Sequence, residues 1–292
     1  MEPQSILDDL HLLDLKEEIR CLVLHARREV ESGLGGAYAA RRRGTGVEFE
    51  ELREFVDGDD ARFIHWPSTL TQGRPFVKRY REEHQLDMLI CMDVSKSMRV
   101  MQTVMQTALE IAALMGGCAC YVGDAVGLLL RSTATEGWLP PCRGERQLLR
   151  ILREIAGCRL SDGGTDLDGM LTAAANVLKR HSRVVVISDW LGDSSGNELR
   201  YLAYRHEVVV CHIQTDAVQK VPLAGWLETE DAETGRRLLV DWSDSRNRHE
   251  IALNQEKMAD GLRKQSHGAK ADYLLFDGSE PPVEVIRGWL RR

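Results

Sequence analysis

The stretch that decides the fold of this chain is LDMLICMDVSKS, residues 86–97. Its first seven residues are nearly all apolar, and an apolar run of this length is typical of a strand buried on both faces of a sheet. The run ends at Asp93, after which small polar residues follow at short intervals. Ligands bind at the carboxyl ends of the strands in parallel sheets, so these polar residues mark a candidate site.

Apolar runs and helical patterns alternate along the chain after this strand. Such alternation predicts an α/β fold with a doubly wound, mostly parallel sheet and right-handed crossovers. The alternation breaks at about 226–242, where two strand-like segments flanking Glu233-Thr234-Gly235 predict an inserted β-hairpin. Further strands are predicted at 125–130, 184–187, 208–213 and 273–276, and helices at about 104–117, 147–155, 167–178, 198–204 and 250–264, before a short terminal helix.

The residues before the decisive strand have a different character. A helical pattern of apolar residues covers 6–30, and Gly33 closes it. The run Arg41-Arg42-Arg43 indicates a solvated loop or a site for one acidic group, whereas 47–80 has the pattern of short extended segments and turns. The predicted division is an N-terminal appendage at 1–84 and a main domain at 85–292.

The amino-acid composition predicts a globular protein and argues against several classes of binding partner. The 292 residues carry a net charge of −7, with 43% hydrophobic and 28% charged residues, as in soluble globular proteins. The acidic balance disfavours bulk binding to nucleic acid or anionic membranes. No run approaches the roughly 18–20 apolar residues of a membrane span, and the N-terminus lacks a secretory pattern. Because the seven cysteines are odd in number and several lie in apolar runs, we expect free thiols in a cytoplasmic protein with no membrane insertion.

Oxygen-bearing side chains collect at the predicted strand ends and at one helix start. All are carboxylates or hydroxyls, without imidazole or thiolate, which suits Mg²⁺ (or Mn²⁺ or Ca²⁺) and argues against zinc. Asp166 is expected to start the helix that follows, where a carboxylate is favoured. The candidate metal ligands are Asp93, Ser95, Ser97, Thr165 and Asp189.

The charge of this donor set indicates what else the metal would bind. Two carboxylates at most neutralise a divalent cation, and three hydroxyls add no charge. If one carboxylate acts through a water molecule, the site keeps net positive charge and an open position for an external anion. An aspartate or glutamate of a partner protein meets that requirement.

At these residues the chain resembles a von Willebrand factor A domain. The D-x-S-x-S string from Asp93, Thr165 after Gly163-Gly164, and Asp189 match the metal-ion-dependent adhesion site of that family in order and approximate spacing. Upstream strings resemble the bacterial domain-of-unknown-function fifty-eight family, typically encoded beside MoxR-type AAA+ ATPases. These strings are RGTGVEF at 43–49, LREF at 52–55, GDD-x-R-x-I-x-W at 58–66 and VK-x-Y-x-EE at 77–83, with His65 where the family usually has aspartate.

The resemblance implies a non-enzymatic, metal-dependent protein–protein interaction module. It implies an adaptor or co-chaperone of a MoxR-type AAA+ ATPase, acting on a client protein through a metal-bound carboxylate. For the upstream signature two interpretations stay open. Asp59, Asp60 and Arg62 form a turn and an ion pair, or they belong, with Arg41–Arg43 and Trp66, to a surface that docks the ATPase.

A metal-dependent phosphohydrolase is the alternative function. Enzymes that resemble haloacid dehalogenases also place an aspartate after the first strand, and the string from Ser188 to Asp193 superficially resembles their acidic metal motif. That chemistry normally needs a second aspartate two residues later as general acid, and position 95 is serine. A scaffold with a vestigial site is a third alternative. Because position 95 is serine, we expect no enzyme. The glycine motifs that bind nucleotide phosphates are absent from the sequence, so we also expect no bound nucleotide.

Overall fold

The computed structural model is a mixed α/β protein in which helices cover both faces of a mostly parallel six-stranded sheet. Two buried apolar clusters lie on opposite faces of this sheet. One includes residues of the N-terminal helices and of the helix Gln102–Tyr121, and the other includes residues of the helices Leu167–Val177, Asn197–Arg205 and Ser245–Gly268. The residues it describes are 19–43, 49–56, 59, 64–80, 86–99, 102–158, 164–191, 194, 196–214, 225–230, 237–241 and 244–292.

The elements are numbered here in chain order. The strands are β1 (Phe49–Glu54), β2 (Phe76–Tyr80), β3 (Asp87–Asp93), β4 (Val126–Arg131), β5 (Thr135–Cys142), β6 (Ser182–Ser188), β7 (Glu207–Ile213), β8 (Trp226–Glu230), β9 (Arg237–Asp241) and β10 (Asp272–Phe276). The helices are α1 (19–34, with a π-helical turn at Val30–Leu34), α2 (Gly35–Arg43), α3 (Trp66–Gln72), α4 (Gln102–Tyr121), α5 (Glu145–Gly157), α6 (Leu167–Val177), α7 (Asn197–Arg205), α8 (Ser245–Gly268) and α9 (Pro282–Leu290).

The six-stranded sheet has the order β10-β7-β6-β3-β4-β5, with β3 near its centre. All neighbouring pairs are parallel except β4 and β5. Met92 of β3 lies opposite Leu130 of β4 on one side and Ile187 of β6 on the other. Because these strands run in the same direction and in this register, their carboxyl ends meet at one edge of the sheet.

The predicted mixed α/β fold with a mostly parallel sheet is confirmed, and so is the inserted hairpin, in which β8 pairs antiparallel with β9. The turn of that hairpin lies outside the described residues. The sequence analysis missed β5, because Pro140 and Pro141 argue against a strand. The strand forms because it pairs with β4 alone, and proline is tolerated at a sheet edge.

The N-terminal helices were only partly predicted, and residues 6–18 lie outside the described part. Gly33 does not end the helix but bends it: its φ of 134° suits glycine, and α2 resumes two residues later. Tyr38 of α2 is fully buried in the core beside the sheet. The prediction of a solvated arginine loop was wrong for Arg41, which lies 4.6 Å over the ring of Trp289 and pairs with an aspartate of β10 at 2.8 Å. The division at residue 84 stays a prediction.

A small antiparallel hairpin of β1 and β2 carries the upstream signature, with α3 between its strands. The sequence analysis expected only extended segments and turns there, whereas Pro67 in the first turn helps to start α3. Asp59 accepts a hydrogen bond from the backbone of Val56 and pairs with Arg53 at 2.6 Å, and these bonds lower its pKa. Asp59 therefore takes part in a turn and an ion pair, but its partner is Arg53; the predicted pairing with Arg62 is untested, because Asp60 and Arg62 lie outside the described residues.

By length and composition alone, α4 is the one helix among the described residues that could cross a membrane. More than half of that stretch, Thr103–Tyr121, is buried inside the protein. Ile111, Leu114 and Met115 are fully buried against the sheet. These contacts are those of a core helix that packs on the face of a sheet.

Candidate metal centre

The loop after β3 is folded tightly around its first residue. Asp93 is 1% exposed, and its Oδ1 accepts a hydrogen bond of 2.8 Å from the backbone nitrogen of Ser95. The hydroxyl oxygens of Ser95 and Ser97 lie 3.0 Å apart, and both residues are buried. The backbone nitrogen of Val94 donates to the carbonyl of Arg131 at the end of β4. The D-x-S-x-S string thus gathers one carboxylate and two hydroxyls at the carboxyl end of β3.

The end of β6 is hydrogen-bonded directly to this loop. The Ser188 hydroxyl donates to Oδ2 of Asp93 at 2.8 Å, and it accepts from the backbone nitrogen of Trp190 at 2.9 Å. Asp189, 4% exposed, accepts a bond of 3.2 Å from the backbone nitrogen of Leu191. Strands β3 and β6 are adjacent and parallel, and adjacent strands lie about 4.8 Å apart. Asp93 and Asp189 therefore lie at neighbouring strand ends.

Trp190 has a backbone conformation that is unusual for its residue type. Its φ is 56°, in the left-handed region that glycine prefers, and its side chain is buried. Such conformations cost about 1–3 kcal/mol and concentrate at functional sites, where the surrounding structure holds them. Here the hydrogen bond from Trp190 to Ser188 holds the strained residue directly after Asp189.

The loop that contains Thr165 is connected to the carboxyl edge of the sheet by the next residue, Asp166. Asp166 caps α6 by accepting from the backbone nitrogen of Gly169 at 2.9 Å, which confirms its predicted role as a helix-start residue. The same carboxylate pairs with Arg131 at 3.0 Å, and Arg131 lies opposite Asp93 in the sheet. Thr165 therefore lies at the edge that carries Asp93.

A further hydrogen bond joins this loop to the segment after β6. The Ser194 hydroxyl donates to Oδ1 of Asp168, in the first turn of α6, at 2.8 Å. Gly163, Gly192 and Asp193, which the sequence analysis also singled out, lie outside the described residues. All five candidate ligands thus lie at one edge of the sheet, with direct contact between Ser95 and Ser97; their binding of a metal stays a prediction.

The donor set fits a hard divalent cation. It consists of two buried carboxylates and three hydroxyls, and Mg²⁺ and Ca²⁺ prefer oxygen ligands of this kind. No group of three or more His, Cys, Asp or Glu suited to a metal occurs within the part of the chain that the structure describes. The candidate centre therefore depends on hydroxyl oxygens to complete its donor set.

Sequence reasoning missed a buried histidine beside this edge. His212 of β7 lies opposite Ser188, is fully buried, and has its Nδ1 2.8 Å from the hydroxyl of Tyr273. Burial lowers the pKa of His212 to about 4, and a hydrogen bond to the backbone of Asp189 only partly opposes this. The imidazole is neutral at physiological pH and adds no positive charge next to the carboxylates. The signal was a polar residue inside the apolar run at 208–213.

Comparisons with known proteins give relatives and a family. An uncharacterised protein of Mycobacterium tuberculosis (strain ATCC 25618 / H37Rv) is 26% identical over 242 residues, covering 80% of this chain and 75% of its own length. Matching solved structures include an aerotolerance-related membrane protein from Bacteroides fragilis NCTC 9343 (17% identical, 70% of this chain, 98% of that chain, TM-score 0.48). Another is BatB from Bacteroides thetaiotaomicron (14% identical, 70% and 96%, TM-score 0.45). A family profile matches residues 51–260, most of the chain, and by this match the chain belongs to the family described as "Protein of unknown function DUF58".

Proposed function

We propose that this protein is a non-enzymatic, metal-dependent protein–protein interaction module of the von Willebrand factor A type. The observation that carries the proposal is the buried loop after β3. There the Asp93 carboxylate and the two serine hydroxyls, 3.0 Å apart, are held beside the carboxyl end of β6. Asp93, Ser95, Ser97, Thr165 and Asp189 would hold Mg²⁺, or Mn²⁺ or Ca²⁺ in its place.

The charge and number of these donors leave a position for an external ligand. Mg²⁺ prefers six oxygen ligands, and five side chains leave one position open. Two directly bound carboxylates at most neutralise the charge of the cation. If one of them coordinates through a water molecule, the metal keeps net positive charge, and an additional anionic ligand is then favoured. The ligand that fits is an aspartate or glutamate side chain presented by a partner protein.

The proposed partner is a MoxR-type AAA+ ATPase, for which this protein would act as a cytoplasmic adaptor or co-chaperone toward a client protein. Membership of the DUF58 family supports this proposal together with the von Willebrand factor A resemblance of the donor residues. No catalytic role is assigned to the donors. Ser95 occupies the position where the alternative, a phosphohydrolase, would need a carboxylic acid to protonate the leaving group.

The test is co-purification of the full-length protein with its candidate ATPase in Mg²⁺ and in EDTA. Asp93→Ala should abolish metal-dependent retention while the fold survives. Asp87→Ala is the matched control: Asp87 begins the same strand at its amino end, away from the candidate centre, and lies 3.9 Å from Arg180. Retention that is insensitive to EDTA, or equal for folded Asp93→Ala and wild type, would contradict a metal-bridged interaction.

A further inference from the structure

Arg131 is a charged residue at the end of an otherwise apolar buried strand. Its side chain is 18% exposed, and its guanidinium bonds Asp166 at 3.0 Å, the carbonyl of Thr133 at 3.3 Å and the hydroxyl of Thr135 at 3.3 Å. Its own carbonyl accepts the backbone nitrogen of Val94. One residue therefore contacts both the loop that follows Asp93 and the loop that contains Thr165.

The first turn of α6 is shaped to admit this ion pair. A Cβ on Gly169 would lie 1.9 Å from Oδ2 of Asp166 and 2.7 Å from Nη2 of Arg131, far inside contact distance. Gly169 has an ordinary helical backbone, so this position does not need glycine for its backbone conformation. It needs glycine because the ion pair occupies the space that a side chain would fill. Helix propensity alone would favour alanine there by about 1 kcal/mol. Gly169, Asp166 and Arg131 are thus in mutual contact, and Asp166 directly follows Thr165.

We propose that Arg131 is a positioning residue which, through its ion pair with Asp166 over Gly169, holds Thr165 at the candidate metal centre. The inference rests on the proposed function, because it assumes that Thr165 is a ligand of the proposed metal. Arg131, Asp166 and Gly169 do not themselves bind the metal. Outer partners of metal ligands fix ligand orientation, and their loss typically weakens metal binding about 10- to 100-fold.

A purely electrostatic role for Arg131 makes the opposite prediction. If the guanidinium acted only through its charge, its removal would strengthen binding of a cation at the neighbouring strand end. Gly169→Ala separates the two roles most cleanly, since it displaces the ion pair without removing any charge or any candidate ligand. Positioning predicts weaker metal binding in both Gly169→Ala and Arg131→Met.

The experiment is calorimetric titration of the purified full-length protein with Mn²⁺, with the fold checked by circular dichroism. Gly169→Ala and Arg131→Met should each weaken Mn²⁺ binding about 10- to 100-fold. Neither should add to the loss caused by Thr165→Ala, because both act through Thr165. The matched control is Gly261→Ala in α8, where a Cβ would meet nothing within 4 Å; it should bind as wild type does.

The outcomes separate this inference from the proposed function. Wild-type Mn²⁺ affinity in folded Gly169→Ala, tighter binding in Arg131→Met, or a loss that adds fully to that of Thr165→Ala would overturn the positioning role alone. If the wild-type protein binds no Mn²⁺, the proposed function fails and the inference fails with it. Should Gly169→Ala not fold, Arg131→Met decides by the sign of its effect.

Discussion

Ser188→Ala is the substitution that most directly tests how the candidate centre is held together. The hydroxyl of Ser188 donates to a carboxylate oxygen of Asp93 and accepts the backbone nitrogen of Trp190, and Ser188 and Asp93 are essentially inaccessible to solvent. Alanine keeps the Cβ, so the substitution removes one oxygen atom and little packing. Both partners would then be buried without this bond.

The expected cost follows from the two hydrogen bonds. A hydrogen bond to a charged group contributes about 1.5–3 kcal/mol to stability, and a neutral one about 0.5–1.5 kcal/mol. Ser188→Ala should therefore lower the free energy of unfolding by about 2–4 kcal/mol in metal-free buffer. Ser182→Ala is the matched control at the other end of β6: Ser182 is 1% exposed and makes one neutral bond, to the carbonyl of Arg180 at 2.9 Å, so about 1 kcal/mol is expected.

The assay is equilibrium unfolding in urea with EDTA present, followed by circular dichroism and tryptophan fluorescence. Ser188→Ala should unfold at a clearly lower urea concentration than Ser182→Ala, with similar slopes for both transitions. Equal midpoints for the two variants would refute the claim that Ser188 links Asp93 to β6.

Two further predictions concern the body of the protein. Gly116→Ala should be about 1–3 kcal/mol less stable than Gly117→Ala, because its Cβ would lie 2.7 Å from a methyl group of buried Leu148, which has to move, whereas Gly117→Ala meets only ordinary contacts; equal urea midpoints for the two variants would contradict this. Burial, with smaller effects of neighbouring charges, lowers the pKa of His206 to about 4, and burial lowers that of His212 likewise. Unfolded histidine takes up its proton near pH 6.5, so stability should fall by about 2–3 kcal/mol per histidine as the pH falls from 6.5 to 4. His206→Leu should remove about half of that slope, and an unchanged slope would show that His206 is not held neutral.

The sequence predicts the part of this fold that depends on residue type. The apolar runs that became β3, β6 and β7 have no polar face, and only a sheet covered on both sides buries them. The candidate ligands were found for the same reason, since polar residues at the ends of such strands must meet at one edge. The arginine run ending at Arg43 shows the limit: it belongs to α2, whose Tyr38 is buried in the core, and local composition does not encode that burial.

The residues that support the candidate centre depend on strand register, and register could not be predicted from the sequence. Arg131 matters because it lies opposite Asp93, and His212 because it lies opposite Ser188. The strands that bring each pair together are separated by many residues of intervening helix and loop. Gly169 likewise has no feature in the sequence that sets it apart from other helical glycines, because its close contact with Asp166 depends on the fold.

The most direct test of the central claim is the stoichiometry of metal binding, measured by the loss of the free Mn²⁺ signal in electron paramagnetic resonance. We expect one Mn²⁺ per chain, which excess Mg²⁺ displaces and which is lost in Asp93→Ala and kept in Asp87→Ala. A wild-type protein that binds no divalent cation, or an Asp93→Ala protein that binds it unchanged, would contradict a metal centre at the carboxyl edge of this sheet.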